Sequence, residues 1–190
     1  MSWRRAYHDV IAIGSTIGTA TATTTVVLGL GASLGDRRRQ LQRALWGLGQ
    51  RGVVVEATSA VYETLPLPLP SGVSDVPLPS FLNAAARVSI TVPLERLLGH
   101  ILAVEARLGR IRPDPIRWGP RTIDIDILWR DGPVYVSPSL RVPHPRLLDR
   151  DFALRPLLEV APHATHPIDG HRLDRSPVAR APLRPRFHRL

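Results

Sequence analysis

The chain has neither cysteine nor lysine among its 190 residues. Without cysteine there are no disulfides, no thiolate metal sites and no cysteine nucleophiles. Without lysine, the phosphate loop that relies on a lysine is excluded, and so is Schiff-base chemistry. An apolar run long enough to span a bilayer as a helix is also missing. The positive charge is therefore all arginine, and it outweighs the 16 acidic residues to give a net charge of +9. Such a balance favours anionic partners, nucleotides or nucleic acid, and position has to decide between them. An apolar fraction of 44 % over this length suits one domain with spare residues at its ends.

The first 25 residues set a basic start before a Thr-rich stretch that Gly and Ser interrupt. They imitate a secretory leader without its apolar run, and the expectation is a flexible extension over 1–25. The continuous run VVLGLGA then has the character of a buried central strand. Asp36 is placed to cap a helix over DRRRQLQRALWGLGQ, with Leu41, Ala44, Leu45 and Leu48 on its apolar face. VVVEATSAVYET follows as a β-branched strand, and the proline-rich 65–80 as a long loop. FLNAAARVSITV resumes strand character, placing Phe81 and Asn83 on one face. Pro93 then opens a helix with Leu94, Leu97, Leu98, Ile101 and Leu108 in one stripe. From about residue 171 the Arg- and Pro-rich chain loses apolar periodicity and reads as a solvated basic tail, part of a segment 166–190 outside the domain at 26–165. The order β-α-β-β-α-β predicts an α+β fold. Its simplest closure is ferredoxin-like, a mostly antiparallel sheet with helices packed on one face.

Residues 109–128 read GRIRPDPIRWGPRTIDIDIL. Four arginines (Arg110, Arg112, Arg117, Arg121) run into a strand that alternates isoleucine with aspartate. Asp124 and Asp126 share one face, roughly 7 Å apart, while Ile123, Ile125 and Ile127 point the other way. Hard carboxylate oxygens that combine with phosphate oxygens are the usual hold on Mg²⁺, and guanidinium forks beside them match polyphosphate. The same residues also fit an exposed strand whose acidic face pairs with surface arginines. Glu105 falls on the helix stripe, which places it either at a rim beside Arg107 or Arg110 or next to the arginine run. Phe81 with Asn83 would suit a flat heterocycle or a core edge, and His144 between two prolines a loop or a phosphate.

Read in order, LGLGASLGDRRRQLQRAL, SAVYET, FLNAA, EARLGRIR, RWGPRTIDIDIL, VPHPRLLDRDFAL and PLLEVAP resemble the 6-hydroxymethyl-7,8-dihydropterin pyrophosphokinases of folate biosynthesis. The resemblance runs from about residue 26 to 162 and implies transfer of pyrophosphate from ATP to the pterin hydroxymethyl, with release of AMP; the absence of cysteine fits a cytoplasmic protein, and a monomer is expected. It implies that Asp124 and Asp126 hold two Mg²⁺ ions and that Arg110, Arg112 and Arg121 neutralise phosphate charge, with all five catalytic. Arg117 and Trp118 would close over ATP, with Glu105, Ile127, His144 and Arg150 on the nucleotide side. Phe81 and Phe152 would sandwich the pterin while Thr64 and Asn83 read its polar edge, joined by Asp124. One departure is in the first motif, usually Gly-Ser-Asn-Leu-Gly-Asp in the family, where Gly31 is here followed by Ala32 and Ser33. Two alternatives compete: an arginine-rich RNA-binding α+β module, and a catalytically silent homologue. The sheet-borne aspartate pair opposes the first, because facing carboxylates repel a nucleic-acid backbone; the complete set Asp124, Asp126, Arg110 and Arg121 opposes the second. Neither nucleic acid nor a membrane is an expected partner.

Overall fold

Burial of Val26, Val27, Leu28, Leu30 and Ala32 puts the VVLGLGA run in the middle of a sheet, as its unbroken apolar character requires. The structure, a computed structural model, describes residues 22–66, 78–113, 119–180, 185–187 and 190. Strand β1 (Thr24–Ala32) pairs antiparallel with β4 (Phe81–Ile90) on one side and β5 (Asp124–Arg130) on the other. The outer side of β4 is shared by β2 (Val54–Thr58) and β3 (Val61–Thr64), and β8 (Pro185–Phe187) extends the sheet beyond β3. The stretch read as one strand is thus divided at Ser59. There the backbone N–H still bonds the Ala85 carbonyl at 2.9 Å, while the hydroxyl accepts the Ala85 N–H at 2.9 Å. With β2 and β3 counted as one, the order β5-β1-β4-β2/β3 is that of a ferredoxin-like βαββαβ unit. A small hairpin of β6 (Tyr135–Val136) and β7 (Arg141–Val142) stands apart from it.

Helices α1 (Arg37–Gly49) and α2 (Leu94–Arg107) lie on one face. Asp36 caps α1 as its position suggests, its carboxylate accepting the Arg39 N–H at 3.1 Å. Leu41, Ala44 and Leu48 of α1, with Leu97, Ile101 and Val104 of α2, pack on Leu28, Leu30, Ala86, Val88 and Ile125. The other face is covered as well, which corrects the expectation of helices on one side only. Helix α3 (Asp151–Val160) lays Leu154, Leu157 and Val160 over Val27, Ala85, Leu128 and Trp129. Glu159 of α3 fastens it to the sheet by accepting the Tyr62 hydroxyl and, at 2.8 Å, the Ala60 N–H. Burial and that carboxylate push the Tyr62 phenol up to about 12.

The segment from residue 171 is also not simply solvated. Leu173 is 2 % exposed and belongs to this second core, and its N–H bonds the Ala164 carbonyl at 3.0 Å. Trp129 donates its indole N–H to the Thr165 carbonyl at 2.8 Å. Leu173, with Val178 and Ala179 packed on the same core and β8 paired to β3, anchors the segment, and anchors so unevenly spaced among arginines and prolines carry no periodicity for a pattern to reveal. No helix among the described residues is long and apolar enough to cross a membrane. Most of the expected N-terminal extension and the middle of the proline-rich loop lie outside the described residues, though β1 already begins at Thr24.

Leu173→Ala is expected to lower unfolding free energy by about 2–4 kcal/mol, because truncating a buried leucine leaves a cavity. Urea denaturation checks this, and a loss below about 0.5 kcal/mol, the range of ordinary surface substitutions, would return the segment to solvent.

Candidate active site

Antiparallel register and the two-residue alternation of strands place a row of side chains on the α3 face of the sheet. Gly31 stands between Asp124 on β5 and Asn83 on β4; one step along, Gly29 stands between Asp126 and Ala85. The row beyond is apolar, with Val27 opposite Trp129. Helix α3 covers that apolar end, and the glycine end stays open as a cleft of ≈ 720 Å³, its solvent mouth included. Arg121, Asp124 and Asp126 form one wall, Thr64, Phe81 and Asn83 the opposite wall, and Arg150 and Phe152 from the start of α3 overhang it. Two glycines in a central strand signal a close approach of backbone to something else, and that signal was available in VVLGLGA. A Cβ at Gly31 would meet the Asn83 amide oxygen at 3.2 Å and Asp124 Cβ at 3.8 Å.

The acidic wall is compensated unevenly. Asp124 accepts from Arg110 Nη1 and Arg121 Nη1, each at 2.8 Å. The side chain of Arg110 is 3 % exposed and also donates to the Ile123 carbonyl at 2.7 Å, so it braces the strand from within. Asp126 has Arg150 no nearer than 4.0 Å and keeps 39 % of its side chain exposed. Loss of hydration at the cleft floor, then the neighbouring Asp124 charge, raise its carboxyl from 3.8 to about 7. Arg150 lies over the Phe152 ring at 5.7 Å, and burial lowers its pKa.

Glu105 is neither at a rim nor in the cleft. It is 0 % exposed, takes the Ile125 N–H at 2.8 Å and pairs with Arg112, while its carbonyl accepts the Arg110 N–H at 2.9 Å. A buried carboxylate thus ties the end of α2 to the strand bearing both aspartates. Ile127 buries its side chain on the helix side, away from the cleft. His144 sits beside the site, bonding the Leu128 carbonyl through its N–H (2.8 Å) and accepting the Arg146 N–H on Nδ1 (3.1 Å). Arg117 and Trp118 lie outside the described residues.

On the opposite wall, Asn83 Nδ2 donates to the Thr64 hydroxyl at 2.8 Å. The amide oxygen of Asn83 is thereby turned toward Gly31 and the cleft, and Thr64 keeps its proton to donate. One wall therefore suits a phosphate-and-cation end, and the other a flat ring with a polar edge. Two residues that matter here, Ser33 and Gly31, were not singled out from sequence. Ser33 lies inside the first motif, and its significance depends on a contact 88 residues away.

The family model of 7,8-dihydro-6-hydroxymethylpterin-pyrophosphokinase (HPPK) matches residues 27–162, and the chain belongs to that family. It is 38 % identical over 144 residues to the 2-amino-4-hydroxy-6-hydroxymethyldihydropteridine pyrophosphokinase of Aquifex aeolicus, spanning 76 % of this chain and 84 % of that protein. The protein of the same name from Methylorubrum extorquens is 39 % identical over 140 residues, 73 % of this chain and 84 % of the relative. The folic acid synthesis protein fol1 of Pneumocystis carinii is 35 % identical over 145 residues, 76 % of this chain but only 18 % of that longer protein. Among solved structures, an HPPK-DHPS in complex with substrates matches with a TM-score of 0.58 at 13 % identity, over 80 % of this chain and 42 % of the other. A Plasmodium falciparum HPPK-DHPS with pterin and p-hydroxybenzoate matches with a TM-score of 0.56 at 16 % identity, over 83 % and 43 %. At these identities the likeness to the solved structures is one of fold.

Burial, then the nearby Arg150, lower the His144 imidazole from 6.5 to about 4. The folded chain therefore refuses a proton that the unfolded chain accepts, and this group's contribution to stability falls as pH drops from about 6.5 to about 4. NMR titration should find His144 neutral at pH 6 with a midpoint near 4; a midpoint near 6.5 would contradict its enclosure.

Proposed function

We propose that the chain transfers pyrophosphate from ATP to 6-hydroxymethyl-7,8-dihydropterin, giving the pterin diphosphate and AMP. The observation that carries this reading is the cleft's division into a carboxylate–arginine wall and an aromatic–amide wall across a glycine floor. Its floor is about 10 Å wide, two strand spacings, which brings a ring on one side within reach of a phosphate chain on the other. The hydroxymethyl oxygen attacks the β-phosphorus and gives up its proton to water, the bond from the β-phosphorus to the bridging α-phosphate oxygen breaks, and AMP departs with that oxygen.

Phe81 and Phe152 hold the pterin between their rings. Asn83 Oδ1 accepts from its N–H edge and the Thr64 hydroxyl donates to it. Arg121 and Arg150 face the phosphates, where guanidinium forks offset charge that spreads in the transition state. Arg110 and Arg112 act mainly by keeping Asp124 and Glu105 in place, and His144 supports the same wall from behind. Arg117 and Trp118 are assigned to closure over ATP on the family resemblance alone.

The residues present fit magnesium. Among the described residues no group of three or more His, Cys, Asp or Glu forms a self-sufficient metal cage. Mg²⁺ typically takes one or two carboxylates and completes its shell with water and substrate phosphate. Asp124 and Asp126 supply those carboxylates; Asp124 is held by two arginines at 2.8 Å, while Asp126 has Arg150 at 4.0 Å and keeps its oxygens toward the cleft. When bound, two Mg²⁺ ions would neutralise and align the triphosphate. A monomer as the working unit is an expectation that no contact here bears on, and a cysteine-free chain suits the cytoplasm.

Incubation with ATP, Mg²⁺ and the hydroxymethyl dihydropterin should yield AMP and the diphosphorylated pterin; ADP in place of AMP, or no product, would end the reading. Asp126→Ala should remove turnover while far-UV circular dichroism is unchanged, and a well-folded variant that still makes AMP would contradict the metal assignment.

Asp126 has a second, separable effect. Its folded-state pKa lies above the unfolded value of 3.8, so the folded chain holds the extra proton, and stability declines as pH rises from about 4 to about 7. Asp126→Asn should therefore melt higher than the parent at pH 8 without metal, with the gap closing toward pH 4. Equal melting temperatures at pH 8 would show that the carboxylate is already compensated.

A further inference from the structure

We propose that Ser33 is a positioning residue for Arg121, and through it for the phosphate wall; this rests on the pyrophosphokinase reading above. Ser33 is 4 % exposed and occupies the turn between β1 and α1. Its hydroxyl accepts the Arg121 N–H at 2.9 Å and reaches the Arg121 carbonyl at 3.3 Å as a donor. The same carbonyl accepts the backbone N–H groups of Ser33 (3.0 Å) and Leu34 (3.2 Å). Arg121 is therefore gripped by both its donor and its acceptor, although nothing in the local sequence joins the two segments.

The two halves of the grip are not equivalent. The carbonyl keeps two backbone donors whatever side chain stands at 33. The N–H is held by the Ser33 hydroxyl, so removing that hydroxyl leaves a donor short of its partner and the peptide free to turn about its carbonyl anchor. Turning the peptide moves the root of the Arg121 side chain. That side chain donates to Asp124 at 2.8 Å and to the Gly119 carbonyl at 3.3 Å, so the guanidinium and the carboxylate it braces shift together. The aromatic–amide wall, on β3, β4 and α3, takes no part in this grip.

The role has a distinct kinetic signature. Displacing a charged group by about 1 Å costs about 10- to 100-fold in turnover, so Ser33→Ala should lower kcat for AMP formation by that factor. KM for the pterin should stay within about two-fold, because uniform binding by the far wall is untouched. Ser33→Thr, which keeps the hydroxyl, should return kcat to within about three-fold of the parent. In the ligand-free protein, Ser33→Ala should also speed hydrogen exchange of the Arg121 amide by at least about ten-fold, read by NMR. Parent-like kcat, a loss confined to pterin KM, or unchanged Arg121 exchange in folded Ser33→Ala would overturn the proposal. Should Ser33→Ala fail to fold, Ser33→Cys carries the same measurements with a weaker donor and acceptor. An inactive parent chain would overturn the pyrophosphokinase reading alone, and Arg121 exchange would then decide the grip.

Discussion

Because Gly29 and Gly31 offer no side chains to the α3 face, the middle of the sheet is a trough, and groups on β4 and β5 confront one another across it. The two glycines do different jobs. A Cβ at Gly29 would come within 2.9 Å of Leu128 Cδ1, so the apolar core already fills that space up to the inner end of the trough. At Gly31 the nearest neighbours are Asn83, Asp124 and Phe81, and the space belongs to whatever the cleft receives. The transition from packed core to open site takes place within one strand, over two residues of the same face.

Charge around that trough is divided by depth. Glu105 and Arg110 are enclosed and act as internal fasteners joining α2 to β5. Arg121 and Arg150 line the opening, and Asp126 is left as the least compensated carboxylate. Buried ionic groups contribute little to net stability unless their hydrogen bonds are complete. Here they orient: the Glu105 carboxylate takes the Ile125 N–H, the amide lying between the two aspartates in sequence. The pattern matches what polyphosphate transfer demands, which is alignment and offset charge in place of covalent participation by the protein.

Much of this was legible in the residues. The alternation in IDIDI put Asp124 and Asp126 together and Ile127 opposite, and Asp36 announced the start of α1. Phe81 and Asn83 shared a face because a strand has a period of two, and both line the cleft. What could not be read was anything decided by partners distant in sequence. Glu105 was compatible with a rim or a site, and its enclosure depends on a strand amide 20 residues on. The family resemblance assigned Arg110 and Arg112 to phosphate; the contacts that no sequence pattern announced are those of Arg110 with the Ile123 carbonyl and of Arg112 with Glu105. The second core was missed because α3 meets the sheet on the face the βαββαβ order leaves open, and Leu173 joins it without any surrounding pattern.

Helix α3 begins above the trough with Arg150 and Phe152 and ends where Glu159 is bolted to Tyr62 and Ala60. Roof and buttress are thus the two ends of one short rod, Asp151–Val160. Whatever holds its first turn down from inside the trough also makes the whole rod harder to peel from the sheet, so occupancy must register as resistance to unfolding of the apolar layer beneath it. The dimensions of guest and rod are likewise tied: a bulkier guest presses on Phe152 and Ala153, and through them on the layer that keeps the sheet's second side dry.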